Sequence, residues 1–352
     1  MSKTRLPVCL MALLICGLMA ICSSAQELSA PVVQGRWIQP SDAFPAQPVW
    51  GHADGIRIGL WPMPGPRGLL RVYAPYLGHD DDRMINYIAV EPTLEGQRWR
   101  SFSELEKSLF DGVSGLRFWS ADSPEDEMPR DPRNPSQGII SRDGEVETLC
   151  IYVFVEPYEN GASVVLRIQF RSDRPYEVGI ATFTQPESKP LETCIITATM
   201  GNFARLRELH LADGMRSSHE LWPTFSGSGF AEHACFSLSN LVRTPSEDAL
   251  FIATPDEENP SQAEYERGTF IGWTYYGDVA QQYWRDETPT YELRGCVNAR
   301  STYWASESHI PGGSSFENFE LIERFREGNE LWFGVMPGKY SQPQQLTGAP
   351  AN

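Results

Sequence analysis

The residues SVVLRIQFR at 163–171 decide the fold class, because apolar side chains recur there at every second position. Successive side chains of a β-strand point to opposite faces, so this period predicts a strand with one buried face. Asn160 and Gly161 come just before it and are typical of a hairpin turn. The segment 147–156, before that turn, is rich in strand-forming residues. The two segments therefore predict an antiparallel pair.

Comparable segments fill most of the remaining chain, separated by Gly and Pro. They lie at 55–60, 70–73, 85–90, 177–184, 192–200, 203–211, 249–253, 269–276, 290–297, 315–321 and 330–335. Helical patterns are fewer: a capping box at 101–104 predicts a helix to Phe110, and Asp278 predicts the start of another that ends at Arg285. Strands and helices do not alternate, which argues against a parallel α/β sheet. We predict an all-β fold, a large antiparallel β-sandwich of the jelly-roll or supersandwich type with two short helices.

The 352 residues divide into an N-terminal targeting segment and one domain. A basic start, an apolar run over 10–21 and small residues at 23–25 have the three parts of a secretory signal peptide, so we predict cleavage after Ala25. We expect an N-terminal arm at 26–50, a single β-sandwich domain at 51–340 with an acidic, Pro-rich insertion at about 121–145, and a flexible tail at 341–352. The mature protein is expected to be exported, to the periplasm or the extracellular space.

Charge and cysteine content limit the partners. With 46 acidic and 29 basic residues the net charge is −17, which argues against nucleic acid and, after signal cleavage, against a membrane surface. The sequence contains neither a phosphate-binding Gly-rich loop nor the Gly-x-Ser-x-Gly nucleophile motif. Four cysteines remain outside the signal: Cys150, Cys194, Cys235 and Cys296. Three pairings are open to them in an oxidising compartment, and buried free thiols are the alternative.

The first group of candidate site residues lies at 202–210. On a strand, Arg205 and Arg207 would share a face and could bind an anionic substrate group. Asn202 and His210 would share the other face, where His210 could act as a general base. The alternative is that both Arg side chains pair with surface carboxylates and that His210 is structural.

The second group is aromatic and lies towards the C-terminus. Trp273, Tyr276 and Trp304 could stack on sugar rings, since flat aromatic faces pack on the C–H faces of a pyranose. Tyr303 could serve as a base and Arg300 could neutralise a uronate carboxylate. The alternative is that these rings fill the interior of the sandwich.

Two further residues could carry acid–base chemistry. Glu317 lies on a predicted strand after a Gly-Gly turn and would need a second carboxylate from elsewhere to act as a glycosidase; Glu208, Glu232 and Asp256 are candidates. His233 follows a flexible Gly-Ser-Gly loop and is a second candidate base. The alternatives are a solvated strand carboxylate and a structural histidine.

These features predict a secreted carbohydrate-active enzyme that acts on a polysaccharide or oligosaccharide, as a lyase or a glycoside hydrolase. The alternative is a non-catalytic carbohydrate-binding or cell-envelope protein. No cofactor and no metal ligand set is predicted. Asp80–Asp82 and Asp256–Asn259 are oxygen-rich enough for Ca²⁺, although solvated acidic turns explain them as well.

Overall fold

The computed structural model describes residues 27–80, 83–126 and 131–340. The predicted signal peptide and the predicted tail lie outside these ranges. In the described part of the chain, no helix combines the length and the apolar character needed to cross a membrane.

Two large sheets account for most of the described chain, and every named strand pair in them is antiparallel. The first sheet has ten strands. In spatial order they are β1 (Val32–Gln34), β2 (Trp37–Gln39), β3 (Val49–His52), β4 (Arg57–Gly59), β5 (Leu70–Tyr73), β6 (Met84–Leu94), β12 (Leu191–Ala198), β20 (Ser315–Ile322), β19 (Arg294–Arg300) and β15 (Ala234–Ser237).

The second sheet has eleven strands. Its main path is β14 (Gly214–Ser217), β13 (Leu206–Leu211), β17 (Ala249–Pro255), β18 (Ala280–Asp286), β21 (Glu330–Pro337), β11 (Glu177–Thr184), β10 (Val164–Arg171), β9 (Val146–Val155) and β7 (Phe118–Ala121). Two short strands complete it: β16 (Val242–Arg243) pairs with β17, and β8 (Ile139–Asp143) pairs with β9. The prediction of an all-β antiparallel sandwich is confirmed.

The core lies between the inner faces of the two sheets. Phe251 of β17 and Phe319 of β20 stack with their ring centroids 4.8 Å apart, and Trp284 of β18 donates from Nε1 to the Phe319 carbonyl at 2.7 Å. Gly295 of β19 packs under the same ring: a Cβ there would meet Phe251 Cδ2 at 2.6 Å. Close packing of this kind contributes dispersion and hydrophobic energy together, so these strands fix how the two sheets face each other.

The segment 163–171 that decides the fold class forms β10, and the turn before it is a hairpin as predicted. Tyr158 donates its N–H to the Ala162 carbonyl at 2.9 Å. Gly161 has a φ of 98°, a left-handed conformation that glycine adopts without a Cβ clash. β9 and β10 pair from Val165 opposite Phe154 to Arg171 opposite Thr148.

Neither of the two predicted helices forms. At 101–110 the chain forms turns, because the Ser101 and Ser103 N–H groups donate to the Pro92 and Val90 carbonyls instead of starting a helix. The segment 278–285 is mostly strand β18, paired on both sides. The one α-helix of the described residues is α1 (Ser218–Leu221), where Ser217 and Glu220 form a reciprocal capping box.

Three other segments differ in detail from expectation. The predicted strand at 269–276 is replaced by a 3₁₀ turn at Ile271–Trp273, whose N–H groups bond within the turn. Part of the expected N-terminal arm joins the first sheet as β1, β2 and the beginning of β3. Within the expected insertion, Ile139–Asp143 forms β8 at the edge of the second sheet.

One disulfide bond joins the edge strand β15 to β19. Cys235 and Cys296 stand opposite each other in the register, with Cα atoms 4.2 Å apart. Cys150 and Cys194 are free thiols, and burial raises the pKa of Cys150 to about 11 and that of Cys194 to about 12. Such thiols are poor nucleophiles at neutral pH, so their role is packing.

The double variant Cys235→Ser/Cys296→Ser should lower the free energy of unfolding by about 2–4 kcal/mol, because it releases a cross-link over 61 residues. Urea titration of the oxidised protein measures the loss. Cys150→Ser is the matched control and should change stability by less than about 1 kcal/mol. Wild-type protein that is as stable after reduction as before it would contradict the prediction.

Candidate active site

A cluster of charged side chains covers the middle of the first sheet on its outer face, opposite the core. On β20, Phe319 and Leu321 belong to the core, so Glu320 between them points outward. Glu320 stands opposite Thr197 of β12 and Cys296 of β19. The outer face of an antiparallel sheet is normally polar. Here it carries charged side chains, and Glu320 among them is buried.

Arg100 holds two buried carboxylates together in this cluster. Its Nη1 atom lies 2.6 Å from Oε2 of Glu91 and 3.0 Å from Oε1 of Glu320. Burial raises the pKa of Glu91 well above its usual range, and the neighbouring Glu320 charge raises it further, while Arg100 lowers it. One guanidinium thus binds two carboxyl groups that lie almost completely out of water.

His233 forms the solvent side of the cluster. Its Nε2 atom lies 3.6 Å from Glu320 Oε1 and 3.5 Å from Asn298 Nδ2, while its side chain is 34% exposed. Within the described chain, no hydrogen-bond partner faces its Nδ1 atom. Burial lowers the pKa of His233, Glu320 raises it and Arg100 lowers it, with a net decrease. The ring is therefore neutral at neutral pH, and Glu320 is placed to stabilise its protonated form.

A third carboxyl group lies close to Arg100. Burial raises the pKa of Glu104 to about 7, and Arg100 acts against that rise. The Oε2 atom of Glu104 and the Oγ1 atom of Thr197 are both buried without a hydrogen-bond partner. Unpaired buried polar atoms are costly, so the cluster has unused hydrogen-bonding capacity.

An exposed aromatic pair lies next to His233. Phe230, three residues earlier in the chain, and Trp304 have ring centroids 5.7 Å apart and are 47% and 56% exposed. The Arg300 guanidinium carbon lies 4.8 Å and 5.0 Å from these two ring centroids. The two exposed rings therefore form a hydrophobic surface that packs against the Arg300 guanidinium.

A groove of about 340 Å³ continues along the same outer face. Ile322 on β20 and Arg294 on β19, two of its lining residues, stand two positions beyond Glu320 and Cys296. Two residues of strand advance about 6.6 Å, so the groove begins one pleat from the charged cluster. Thr193, Glu192, Glu292, Glu323 and Arg324 complete its lining.

Three predicted site residues come together beside β20, where its pairing with β19 is irregular. Glu317 accepts a hydrogen bond from Asn202 Nδ2 and lies within electrostatic range of Arg300. Burial raises the pKa of Glu317 to about 8, and Arg300 and Asn202 lower it. Glu317 is therefore a buried carboxyl group in the interior rather than a solvated strand carboxylate, and it lacks a second carboxylate partner.

Arg205, Arg207 and Tyr303 form a buried structural group. Arg205 Nε bonds Glu257 Oε2 at 2.7 Å, and Arg207 Nη1 bonds Asp256 Oδ1 at 2.9 Å. Both guanidinium groups are fully buried.

Tyr303 stacks on Trp273, with their centroids 5.4 Å apart and an interplanar angle of 11°. Burial raises the pKa of Tyr303 above its usual range. This arrangement matches the structural alternative for Tyr303 and Trp273.

His210 and Tyr276 lie away from the charged cluster. His210 on β13 bonds Thr254 Oγ1 at 2.9 Å, its ring lies against Tyr340, and burial followed by Lys339 lowers its pKa. Tyr276 donates to Asp80 Oδ2 at 3.0 Å.

Of the two oxygen-rich loops, the first is described only in part. Residues 81 and 82 of the first loop lie outside the described part. Asp256 and Glu257 of the second pair with Arg207 and Arg205. Among the described residues no group of three or more His, Cys, Asp or Glu could hold a metal ion.

Sequence reasoning found His233 and missed its partners. Glu91 and Glu320 sit at outward positions of strands that alternate with apolar residues, which is the signal that could have identified Glu320. Arg100 directly precedes the segment predicted as helix, and the sequence does not show that its side chain bridges Glu91 and Glu320 across β12. Asn298 lies at a register shift between β19 and β20, which sequence alone does not reveal.

Comparisons with known proteins add little to this geometry. No protein-family profile matches the chain, and no curated protein matches it. A solved structure titled "Crystal Structure Analysis of HI1317" is 8% identical over 87% of this chain and 97% of that one, with a TM-score of 0.23. A similarity at that level carries no argument about fold or function.

Arg100→Met should lower the free energy of unfolding by about 3–5 kcal/mol, because it leaves two buried carboxylates without their cation. Arg142→Met is the matched control: Arg142 makes a surface ion pair with Glu147, so its loss should cost less than about 1 kcal/mol. Chemical denaturation of both variants measures the difference. Equal losses would mean that Arg100 does not neutralise the carboxylates.

Glu317 should make stability depend on pH. Its pKa of about 8 in the folded chain lies above its ordinary 4.5, so the folded state binds this proton more tightly. The stabilisation is complete below about pH 4.5 and is lost as the pH rises through about 8. Glu317→Gln should flatten this decline in urea titrations over that range, whereas Glu147→Gln, at the surface, should leave it unchanged. A decline that persists in Glu317→Gln would contradict the assignment.

Proposed function

We propose that the protein is an exported carbohydrate-active enzyme in which His233 transfers a proton to or from a sugar. The observation that carries the proposal is the chain of contacts from His233 to Glu320 and on to Arg100. Within the described residues the imidazole has its Nδ1 atom open, and its Nε2 atom faces the Glu320 carboxylate at 3.6 Å and the Asn298 amide nitrogen at 3.5 Å. With its proton on Nε2, towards Glu320, the neutral ring can accept a proton at Nδ1, as a general base does. Glu320 is the positioning residue, since it stabilises the imidazolium that forms.

The surroundings of His233 support a sugar as the substrate. The exposed faces of Phe230 and Trp304 can pack on the C–H faces of a pyranose ring. The groove lined by Ile322 and Arg294 continues away from His233 along the sheet, which gives room for further sugar units. Arg300 is 3% exposed and is held against the aromatic pair by backbone and ring contacts, so its charge would attract a substrate carboxylate through the rings rather than bind it directly.

Of the two reactions, β-elimination fits this arrangement better than hydrolysis. A lyase removes the C5 proton of a uronate, the electron pair forms a C4–C5 double bond, and the bond to the 4-oxygen breaks, with that oxygen taking a proton from water. His233 would take the proton and the charge of Arg300 would attract the carboxylate. Hydrolysis needs two carboxyl groups that flank the scissile bond. Glu91 and Glu320 are buried and share one Arg100 nitrogen, so neither is free for that role.

A non-catalytic carbohydrate-binding protein is the second candidate. The burial of Glu320 and Glu91 favours this candidate, because an ion-pair network with a purely structural role would be buried in the same way. In that case the aromatic pair binds the sugar, and His233 merely closes the charged cluster.

His233→Ala should lower kcat/KM on a uronate-containing polysaccharide by at least about 100-fold, because general-base catalysis contributes that much. The assay follows the ultraviolet absorbance of the unsaturated product. His210→Ala, on the other sheet, is the matched control and should retain activity. Because the pKa of His233 is lowered, wild-type activity should be lost only as the pH falls below the ordinary 6.5.

The products separate the candidates. Reducing ends without ultraviolet absorbance would replace elimination by hydrolysis. Sugar binding without any product, equal in wild type and His233→Ala and lost in Trp304→Ala, would favour the binding protein. Full activity in His233→Ala would remove the proposed role of that residue.

A further inference from the structure

We propose that a cavity at the other side of the sandwich, here called the edge cavity, binds a uronic-acid unit of a glycan. The edge cavity has a volume of about 340 Å³, within the range of small-ligand sites. It lies between loops next to β4, β5, β7 and β8. The residues that line it and carry the argument are Trp61, Arg67, Asp111, Arg117, Trp119 and Arg133.

The edge cavity concentrates positive charge in an acidic protein. Three guanidinium groups line it against two carboxylates, those of Asp111 and Asp131, whereas the whole chain carries −17. Asp111 binds Arg67 in a bidentate pair at 2.8 and 3.0 Å and also binds Arg117 at 2.7 Å. These Arg contacts lower the pKa of Asp111, so it stays ionised and fixes both guanidinium groups in place.

Each guanidinium group keeps unused donors. Arg67 has its Nε atom buried without a partner, and the residue itself is 9% exposed. Arg117 uses only Nη2, towards Asp111, and Arg133 uses Nε and Nη2, towards Asp131. A guanidinium has five N–H donors, so within the described chain Arg117 and Arg133 retain donors for a ligand, while Arg67 is held by Asp111 and the Val113 carbonyl. A carboxylate is the acceptor that such forks bind best.

Two Trp side chains line the edge cavity beside the Arg residues. Trp61 is 39% exposed at the edge cavity, while Trp119 is buried in its wall with its ring against Phe110. An exposed indole face next to guanidinium donors suits a flat-faced pyranose with a carboxylate. Neutral sugars would leave the excess positive charge unused, and small inorganic anions would leave Trp61 uncovered.

The edge cavity is separate from His233 and the aromatic pair. In the first sheet, β5 and β19 are four strand positions apart, which is about 19 Å at the usual strand spacing. The proposal therefore does not rest on catalysis by His233, and binding at the edge cavity needs no turnover.

The test is calorimetric titration of the mature chain with trimers of galacturonate, glucuronate and mannuronate, each compared with its methyl ester. Wild type and His233→Ala should both bind at least one acid trimer, and the methyl ester should bind at least about tenfold more weakly. Using both chains separates this proposal from the proposed function: loss of activity in His233→Ala should leave binding unchanged.

Two variants assign the binding to the edge cavity. Trp61→Ala and Arg133→Gln should each raise Kd by about tenfold, because one removes the stacking face and the other a donor fork. Trp99→Ala, an indole that is 84% exposed elsewhere, and Arg142→Gln are the matched controls and should leave Kd unchanged. All four positions are partly or fully exposed, so the variants should fold, and thermal melting checks this.

Three results would overturn the proposal. They are no heat of binding for any acid trimer up to about 10 mM, equal affinity for the acid and its methyl ester, and an unchanged Kd in Trp61→Ala and Arg133→Gln.

Discussion

The contact between Phe251 and Phe319 is the constraint on which the other features depend. It joins β17 of one sheet to β20 of the other, and Trp284 reinforces it with a hydrogen bond to the same strand. Once Phe319 faces inward, alternation forces Glu320 outward. A register slip by one residue would drive Glu320 into the core without Arg100, at a cost of several kcal/mol. The contact between Phe251 and Phe319 therefore determines on which face of the sheet the charged cluster lies.

The charged cluster is stable because three elements meet over β12. β6 brings Glu91, β20 brings Glu320, and the loop after β6 returns Arg100 to lie between them. A buried ion pair is expensive to assemble and expensive to break, so such groups persist where a function requires them or where nothing apolar fits. The partial exposure of His233 at the edge of this network favours the functional explanation, since a purely structural network gains nothing from an open imidazole. The disulfide from Cys235, two residues later, keeps that edge strand in place.

The sequence was sufficient for the fold class and insufficient for the site. Segment 163–171 follows a period of two, and its partner strand and hairpin turn follow from local chemistry. The prediction of a helix at 278–285 was wrong. The segment contains polar residues such as Gln281 and Arg285, but it forms a strand that pairs on both sides, so tertiary pairing overrides the local preference. The capping box at 101–104 failed for the same reason. His233 could be identified as a candidate base, whereas Arg100 could not, because its partners lie on strands distant in sequence.

Arginine content connects the two proposed sites. Of the 29 basic residues 25 are Arg and 4 are Lys, although the chain is strongly acidic. A lysine ammonium offers one point of charge, whereas the planar guanidinium can bind two acceptors at once and keep further donors free. Arg100 uses this property to bridge Glu91 and Glu320, and Arg67 uses it to hold Asp111 with its Nε left over. In the edge cavity all three Arg side chains already pair with a carboxylate, so a ligand there must bind to the donors that these pairs leave free.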